Sequence, residues 1–183
     1  LHLPFQSGST RILEKINRKY TKEHYLELVS KIKKAVPDIA LTTDIIVGFP
    51  GETEEDFEDT LDVVRKVGFE AAFMFIYSPR KGTPAAKLVQ DIPSEVISAR
   101  FKRLADLQTE IATELAKKYE GKTVEVLVDG PSKNNPEMLS GRTRSNRLVN
   151  FKADNVEKGD TVYVDIIRAG AFWLEGKGGK KLG

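Results

Sequence analysis

The sequence predicts two regions of different class: an α/β region to about residue 118, then a small all-β barrel. Two patterns carry this. Up to residue 118, short apolar runs alternate with helical periods, as in right-handed βαβ units around a parallel sheet. From about residue 120 the apolar period drops to two and turn residues separate the runs, which suits an OB-like barrel. Composition sets the outer bound. With 40% hydrophobic and 31% charged residues, the chain can bury a core and is not read as disordered.

The α/β elements follow in order. Leu1 to Phe5 reads as a strand end, and the turn Gln6-Ser7-Gly8-Ser9 leads into a short helix from Thr10 to Ile16. A second helix is expected from Lys22 to Ala35, with Tyr25, Leu28, Val29, Ile32 and Val36 on one stripe. Ile39 to Val47 is a strand of mostly β-branched residues, ended by Gly48-Phe49-Pro50-Gly51. Helix Glu54 to Val67 places Phe57, Leu61, Val64 and Val67 inward. Phe69 to Tyr77 is a further strand, nearly all apolar. A Pro- and Gly-rich loop, Ser78 to Pro93, precedes a long helix from Ser94 to Tyr119, with Ile97, Phe101, Leu104, Leu107, Ile111 and Leu115 inward.

A parallel sheet of this kind is expected to be buried on both faces. Its chemistry belongs in the loops after the strands, here Gln6 to Thr10, Gly48 to Thr53 and Ser78 to Pro84. Three parallel strands would leave open edges. The chain also begins at Leu1, inside a strand and without an initiator Met. The region is therefore expected to be the second half of something larger.

In the second region Thr123 to Val128 alternates cleanly. Leu139 to Thr143, Leu148 to Lys152, Thr161 to Ile167 and Phe172 to Glu175 give four more short runs. Gly130-Pro131, Asn134-Asn135-Pro136, Gly159-Asp160 and Ala169-Gly170 are the turn signals between them. Gly and Lys alternate from Gly176 to Gly183, which suggests mobility. The expected boundaries are 1–118, 119–178 and a flexible tail at 179–183.

The absence of cysteine rules out a disulfide framework, a thiolate zinc site and a cysteine nucleophile, and suits a cytoplasmic protein. A thiolate-held iron–sulfur cluster cannot be ligated from this chain alone. His2 and His24 are too far apart to suggest a metal site. No apolar run is long enough to span a membrane, and no signal-peptide pattern opens the chain. Residues 1–118 carry 18 basic and 18 acidic side chains, and residues 119–183 carry 11 and 9. The small basic excess therefore sits entirely in the barrel region.

Six acidic residues lie between Glu52 and Asp59. They read better as a helix start than as a metal cluster: Thr53 is placed as the N-cap and Asp56 at the capping-box position. Gly48 and Gly51, around Phe49-Pro50, allow a sharp turn that approaches a ligand. Gln6, Ser7 and Ser9 offer amides and hydroxyls that suit a carboxylate or ribose, though a simple turn and cap would also explain them. Asp44 is a charge inside an apolar strand, which implies either an ion pair or a polar site. Arg142, Arg144 and Arg147 crowd one hairpin with Asn146, near Phe151, Phe172 and Trp173. Arginines for phosphates and aromatics for stacking suit a reader of single-stranded RNA, ahead of the plainer reading of a solvated hairpin over core aromatics.

Four segments in order then resemble the radical SAM methylthiotransferases: His2-Leu3-Pro4-Phe5-Gln6-Ser7-Gly8-Ser9, Asn17-Arg18-Lys19-Tyr20-Thr21, Thr43 to Thr53, and Tyr77-Ser78-Pro79-Arg80-Lys81-Gly82-Thr83-Pro84-Ala85. Residues 120 to 178 resemble the TRAM domain, the RNA-binding module that ends these proteins. Leu3-Pro4-Phe5-Gln6 and Ile76-Tyr77-Ser78-Pro79-Arg80 favour the branch acting on N6-isopentenyladenosine of tRNA. The other branches act on threonylcarbamoyl-adenosine of tRNA or on an aspartate of a ribosomal protein.

The resemblance implies the C-terminal half of a radical SAM (partial TIM-type) barrel followed by TRAM. It implies S-adenosylmethionine as cofactor and two [4Fe–4S] clusters in the parent enzyme, whose cysteine ligands this chain lacks. It implies methylthiolation of C2 of the adenosine beside the anticodon, so the partners would be the tRNA anticodon stem-loop and the missing N-terminal half of the same protein, with no membrane. The fragment alone is expected to be inactive. By the same resemblance Gln6, Ser7, Ser9, Asp44, Gly48, Gly51 and Tyr77 would meet S-adenosylmethionine. Arg142, Arg144, Asn146, Arg147, Phe151 and Trp173 would meet RNA.

Overall fold

A computed structural model describes residues 1–133 and 135–181, with side chains to residue 179. The chain divides into two units, Leu1–Ile111 and Ala112–Gly183. The first contains α1 (Thr10–Lys15), α2 (Lys22–Ala35), β1 (Thr42–Val47), α3 (Glu54–Val67) and β2 (Ala71–Ile76), and the long helix α4 (Ser94–Lys117) starts in it. Among the described residues, no helix is long and apolar enough to cross a membrane.

β1 and β2 pair in parallel, Thr42 opposite Ala71 through Val47 opposite Ile76. The first expected strand is only partly realised. Residues 1–6 lie alongside β1 and touch it at two isolated bridges, His2 with Thr42 and Gln6 with Ile45. Pro4 has no N–H to give a ladder. Next to it the Phe5 N–H donates to the Thr43 hydroxyl at 3.0 Å instead of to a backbone carbonyl.

The sheet is not buried on both faces, contrary to expectation. Thr43, Ile45 and Val47 are buried, while Thr42, Asp44 and Ile46 are only half-buried. Phe73, Phe75 and Ile76 of β2 are exposed. Helices cover one face only. Its core joins Phe5, Tyr25, Val29, Ile45, Phe57, Leu61, Val64, Phe69 and Leu104, with Phe5 stacked on Phe69 at 5.7 Å between centroids. An apolar run alone cannot distinguish one covered face from two.

The acidic run is a helix start. Thr53 caps α3 and forms a full capping box with Asp56. Asp56 does more than cap. It accepts a 2.5 Å hydrogen bond from the Ser9 hydroxyl and is ion-paired with Arg11, so it ties α1 to α3. Burial pushes the Asp56 carboxyl up, but the bonds from Arg11, Ser9 and Thr53 outweigh it and hold the group well below the usual carboxylate range. Gly8 seals the same junction. Its N–H donates to the Thr60 hydroxyl at 2.9 Å, and a Cβ there would sit 2.2 Å from the Asp59 carbonyl oxygen.

The second unit is a closed barrel in the order β3-β4-β5-β7-β6. Its strands are β3 (Thr123–Pro131), β4 (Leu139–Thr143), β5 (Leu148–Lys152), β6 (Thr161–Gly170) and β7 (Trp173–Lys181). β5 and β7 run parallel and every other pair is antiparallel. Inward Val126, Val128, Val149, Phe151, Val162, Val164, Ile166 and Leu174 fill it. The stretch expected to be mobile from Gly176 is instead strand as far as Lys181, which pairs with Val162. Ladder bonds to β6 hold this Gly- and Lys-rich stretch despite its weak strand propensity. The last two residues of the expected 179–183 tail lie outside the described residues.

Asp56→Ala is expected to cost about 2–4 kcal/mol at neutral pH, because it removes the side-chain half of the capping box and the charge-assisted bonds from Ser9 and Arg11. The folded-state carboxyl is depressed, so this stabilisation is full above the ordinary carboxylate range and fades as the pH falls through it. Urea unfolding of both proteins should show a gap at pH 7 that narrows toward about pH 3. A gap that stays constant with pH would contradict the ionised network.

Candidate functional site

The open face of the sheet forms one wall of a cleft of about 780 Å³ in the first unit. The alternation of β1 puts Asp44 and Ile46 on this face, opposite Phe73 and Phe75 of β2. Gln6, Asp44, Ile46, Phe49, Phe75 and Tyr77 line it. Gln6 is buried and holds φ at +68°, which is unfavourable for a residue with a Cβ and requires support from its surroundings. That support is a pair of backbone bonds: its N–H donates to Asp44 O at 2.9 Å and its carbonyl accepts from the Ile46 N–H at 2.8 Å.

Tyr77 follows β2 directly, and its N–H donates to Val47 O at 2.9 Å. Its ring packs edge-on against Phe49, with centroids 4.8 Å apart. Its hydroxyl is buried and, among the described residues, has no hydrogen-bond partner. An unsatisfied buried hydroxyl costs about 1–3 kcal/mol, so this atom is suited to a ligand that can bond to it. The Asp44 carboxylate reaches the same cleft and lies 3.6 Å from His2 Nε2. It therefore faces a polar site, and its contact with His2 is an ion pair only when that ring is protonated.

Gln6, Asp44 and Tyr77 thus converge. Ser7, Ser9, Gly48 and Gly51, expected beside them, are absent from the cleft lining. Ser7 Oγ accepts from the Ser9 N–H, and Ser9 caps α1 and bonds Asp56. The Gly48 N–H donates to Glu52 Oε2 at 3.0 Å and its carbonyl accepts from Gln90 Nε2 at 2.9 Å. Gly48 has φ +76°, and a Cβ there would press on Ile97 at 2.8 Å. The Gly51 N–H donates to Asp91 and its carbonyl accepts from Arg11. These residues build the loops that carry the cleft.

A buried ion pair that sequence reading missed holds the second loop. Arg100 reaches Glu52 at 3.1 Å, with both side chains almost fully enclosed, and also Glu54 at 3.0 Å. Burial pushes the Glu52 carboxyl up, and the Gly48 N–H and Arg100 counter this only in part. No sequence signal links residues this far apart. Phe49 and Ile46 were missed too, although the period of β1 places Ile46 beside Asp44.

The barrel residues separate as well. Phe151 is 0% exposed, inward with Val149, so it cannot stack on RNA. The period of β5 dictates this: Leu148, Asn150 and Lys152 take the other face. Arg147 is also buried, lying over the Tyr119 ring at 5.2 Å and donating to Ala171 O. Asn146, at φ +66°, turns the β4–β5 hairpin and is exposed. Arg144 is solvent-facing in a bidentate pair with Glu125 at 2.9 and 3.2 Å. Arg142 is exposed beside Asp129, and register aligns Arg142, Leu148 and Trp173 across three strands. Arg168, not singled out from sequence, lies over the Trp173 ring at 5.3 Å, and the adjacent Phe172 is exposed. This outer face combines cations with aromatic surface.

The comparisons with known proteins agree with both halves. Residues 1–64 match the Radical SAM superfamily model and residues 117–177 match the TRAM domain model. The chain is 58% identical over 176 residues to the tRNA-2-methylthio-N(6)-dimethylallyladenosine synthase of Acetivibrio thermocellus. It is 56% identical over 177 residues to the protein of that name from Bacillus cereus, and 55% over 177 to that from Clostridium botulinum. These alignments cover 96–97% of this chain but only 37%, 35% and 39% of the relatives, so the chain spans a little over a third of their length. The chain therefore carries a segment that matches the Radical SAM superfamily model, followed in sequence by one that matches the TRAM domain model.

Proposed function

We propose that this chain is the C-terminal part of a cytoplasmic tRNA-modifying radical SAM enzyme that methylthiolates C2 of N6-isopentenyladenosine next to the anticodon. The carrying observation is identity of 55–58% with synthases of that name across nearly all of this chain, through both domains. On this reading residues 1–118 close a partial TIM-type barrel, and residues 119–178 are the RNA-binding domain that grips the anticodon stem-loop.

S-adenosylmethionine fits the cleft. The cleft exceeds the volume a nucleoside-sized ligand needs, and it offers the unpartnered Tyr77 hydroxyl, the Asp44 carboxylate and the Phe49–Tyr77 aromatic pair. Tyr77, Asp44 and Gln6 would hold the cofactor, which when bound supplies the radical chemistry of the parent enzyme. This chain's own contribution is to orient that ligand and to wall it from water with Ile46, Phe49 and Phe75. The residues present do not fit the [4Fe–4S] clusters. The chain has no cysteine, and among the described residues no group of three or more His, Asp or Glu could hold a metal ion.

Calorimetric titration with S-adenosylmethionine is expected to show about 2- to 10-fold weaker binding for Tyr77→Phe, the worth of one hydrogen bond. Equal affinity would remove Tyr77 from the site. RNA binding without any S-adenosylmethionine binding would leave only an RNA-binding module.

On the barrel, Arg142→Gln and Trp173→Ala should each weaken an anticodon stem-loop by about 5- to 100-fold at low salt, and only the arginine change should flatten the salt dependence. Filter binding across salt concentrations separates the two. If neither change alters affinity, this face is not the RNA contact.

A further inference from the structure

The cleft has a second chemical character that a small cofactor leaves unused. Beyond its inner polar groups, its rim carries Lys15, Arg18 and Arg80. All three are exposed. Among the described residues, none makes an ion pair or a side-chain hydrogen bond, whereas Arg11, Lys22, Arg100 and Arg103 of the same unit are all ion-paired. Among the described residues Asp44 is the only acid in the lining, and it sits beside His2. The mouth therefore carries three cations against one carboxylate, above a wall of Ile46, Phe49 and Phe75.

The backbone presents two of these cations together. α1 ends at Lys15, and Asn17 at φ +61° reverses the chain before Arg18. The Arg18 N–H then donates back to Leu13 O at 2.8 Å, which fixes the turn. Arg80 comes from the loop after β2, so the cations reach the rim from separate loops.

We infer that Lys15, Arg18 and Arg80 clamp the phosphodiester backbone of single-stranded RNA on either side of a base inserted in the cleft. An anion at this rim could also be the carboxylate of the cofactor's methionine moiety. One carboxylate neutralises one cation, however, whereas successive phosphates of a nucleotide strand match three. The cations are exposed at the rim, while the unpartnered Tyr77 hydroxyl lies buried within. Charge at the mouth and apolar walls inside is the arrangement that admits an extruded base. The inference rests on the reading that this chain acts on RNA, and it assigns part of the substrate contact to the first unit, separately from the barrel.

The test compares the full chain with the triple variant Lys15→Gln/Arg18→Gln/Arg80→Gln and the charge-keeping variant Lys15→Arg/Arg18→Lys/Arg80→Lys. All these side chains are exposed, and circular dichroism verifies the fold. The probes are a stem-loop RNA with an unpaired loop and, separately, S-adenosylmethionine. Between about 50 and 200 mM salt, the log–log slope for RNA should fall in magnitude by about 2 in the neutral triple variant and stay unchanged in the charge-keeping one. RNA affinity at the low-salt end should fall at least about tenfold, with S-adenosylmethionine affinity within about twofold of wild type.

An unchanged RNA slope and affinity in the neutral variant, with wild type binding normally, would overturn the clamp and leave the RNA reading intact. Lost S-adenosylmethionine affinity with intact RNA binding would assign the cations to the cofactor carboxylate and also overturn it. A wild-type chain that binds no RNA at low salt would remove the underlying reading as well.

Discussion

The first unit depends on one carboxylate. Asp56 closes the capping box of α3, accepts from Ser9 at the start of α1 and is ion-paired with Arg11. It is thus the point where the loop after the first extended segment joins the helix after β1. Gly8 brings the backbones close enough for those bonds to form. Remove the carboxylate and Ser9 and Arg11 lose the bonds that join α1 to α3, while Gln6 keeps the two backbone bonds to β1 that support its unfavourable φ.

The second loop is held differently. Glu52 and Arg100 form a buried pair that also binds the Gly48 N–H and the Glu52 carbonyl. Such a pair gains little over apolar packing, and its effect is on geometry: breaking it leaves a charge stranded. Together the two carboxylates fix the loops after the extended segment and after β1, and the cleft residues inherit their positions from that scaffold. Asp56, with its depressed titration, stays charged to low pH. Glu52, raised by burial, is the one that takes up a proton first on acidification, and the folded state holds that proton more tightly than the unfolded chain does. The two loops therefore differ in acid sensitivity although both rest on carboxylates.

Much of the fold was legible in the sequence because local physics wrote it there. The period of α3 and its Thr53–Asp56 cap gave that helix its limits, and the switch to period two gave the barrel strands. What the sequence did not reveal was non-local. Nothing near Glu52 announces Arg100, and nothing near Phe73 says that no helix covers it. The site was legible in part. Asp44 stood out as a charge in an apolar strand, and Tyr77 by its motif, whereas Ser9 and Gly48, read as ligand contacts, lie outside the cleft lining and bond within their loops. A Ser before a helix and a Gly at a turn look alike in either role until their partners are known. Phe151 was a different miss, since the alternation of β5 already turned it inward.

On the proposed reading, the cleft of the first unit receives the target nucleotide of an RNA stem-loop. The most direct measurement is photocrosslinking of the full chain to an anticodon stem-loop with a photoreactive adenosine at the target position, mapped by mass spectrometry. Adducts are expected in the first unit, on Ile76 of the cleft lining or on the rim at Lys15, Arg18 or Arg80. Adducts confined to residues 119–178, or evenly scattered over both units, would contradict it.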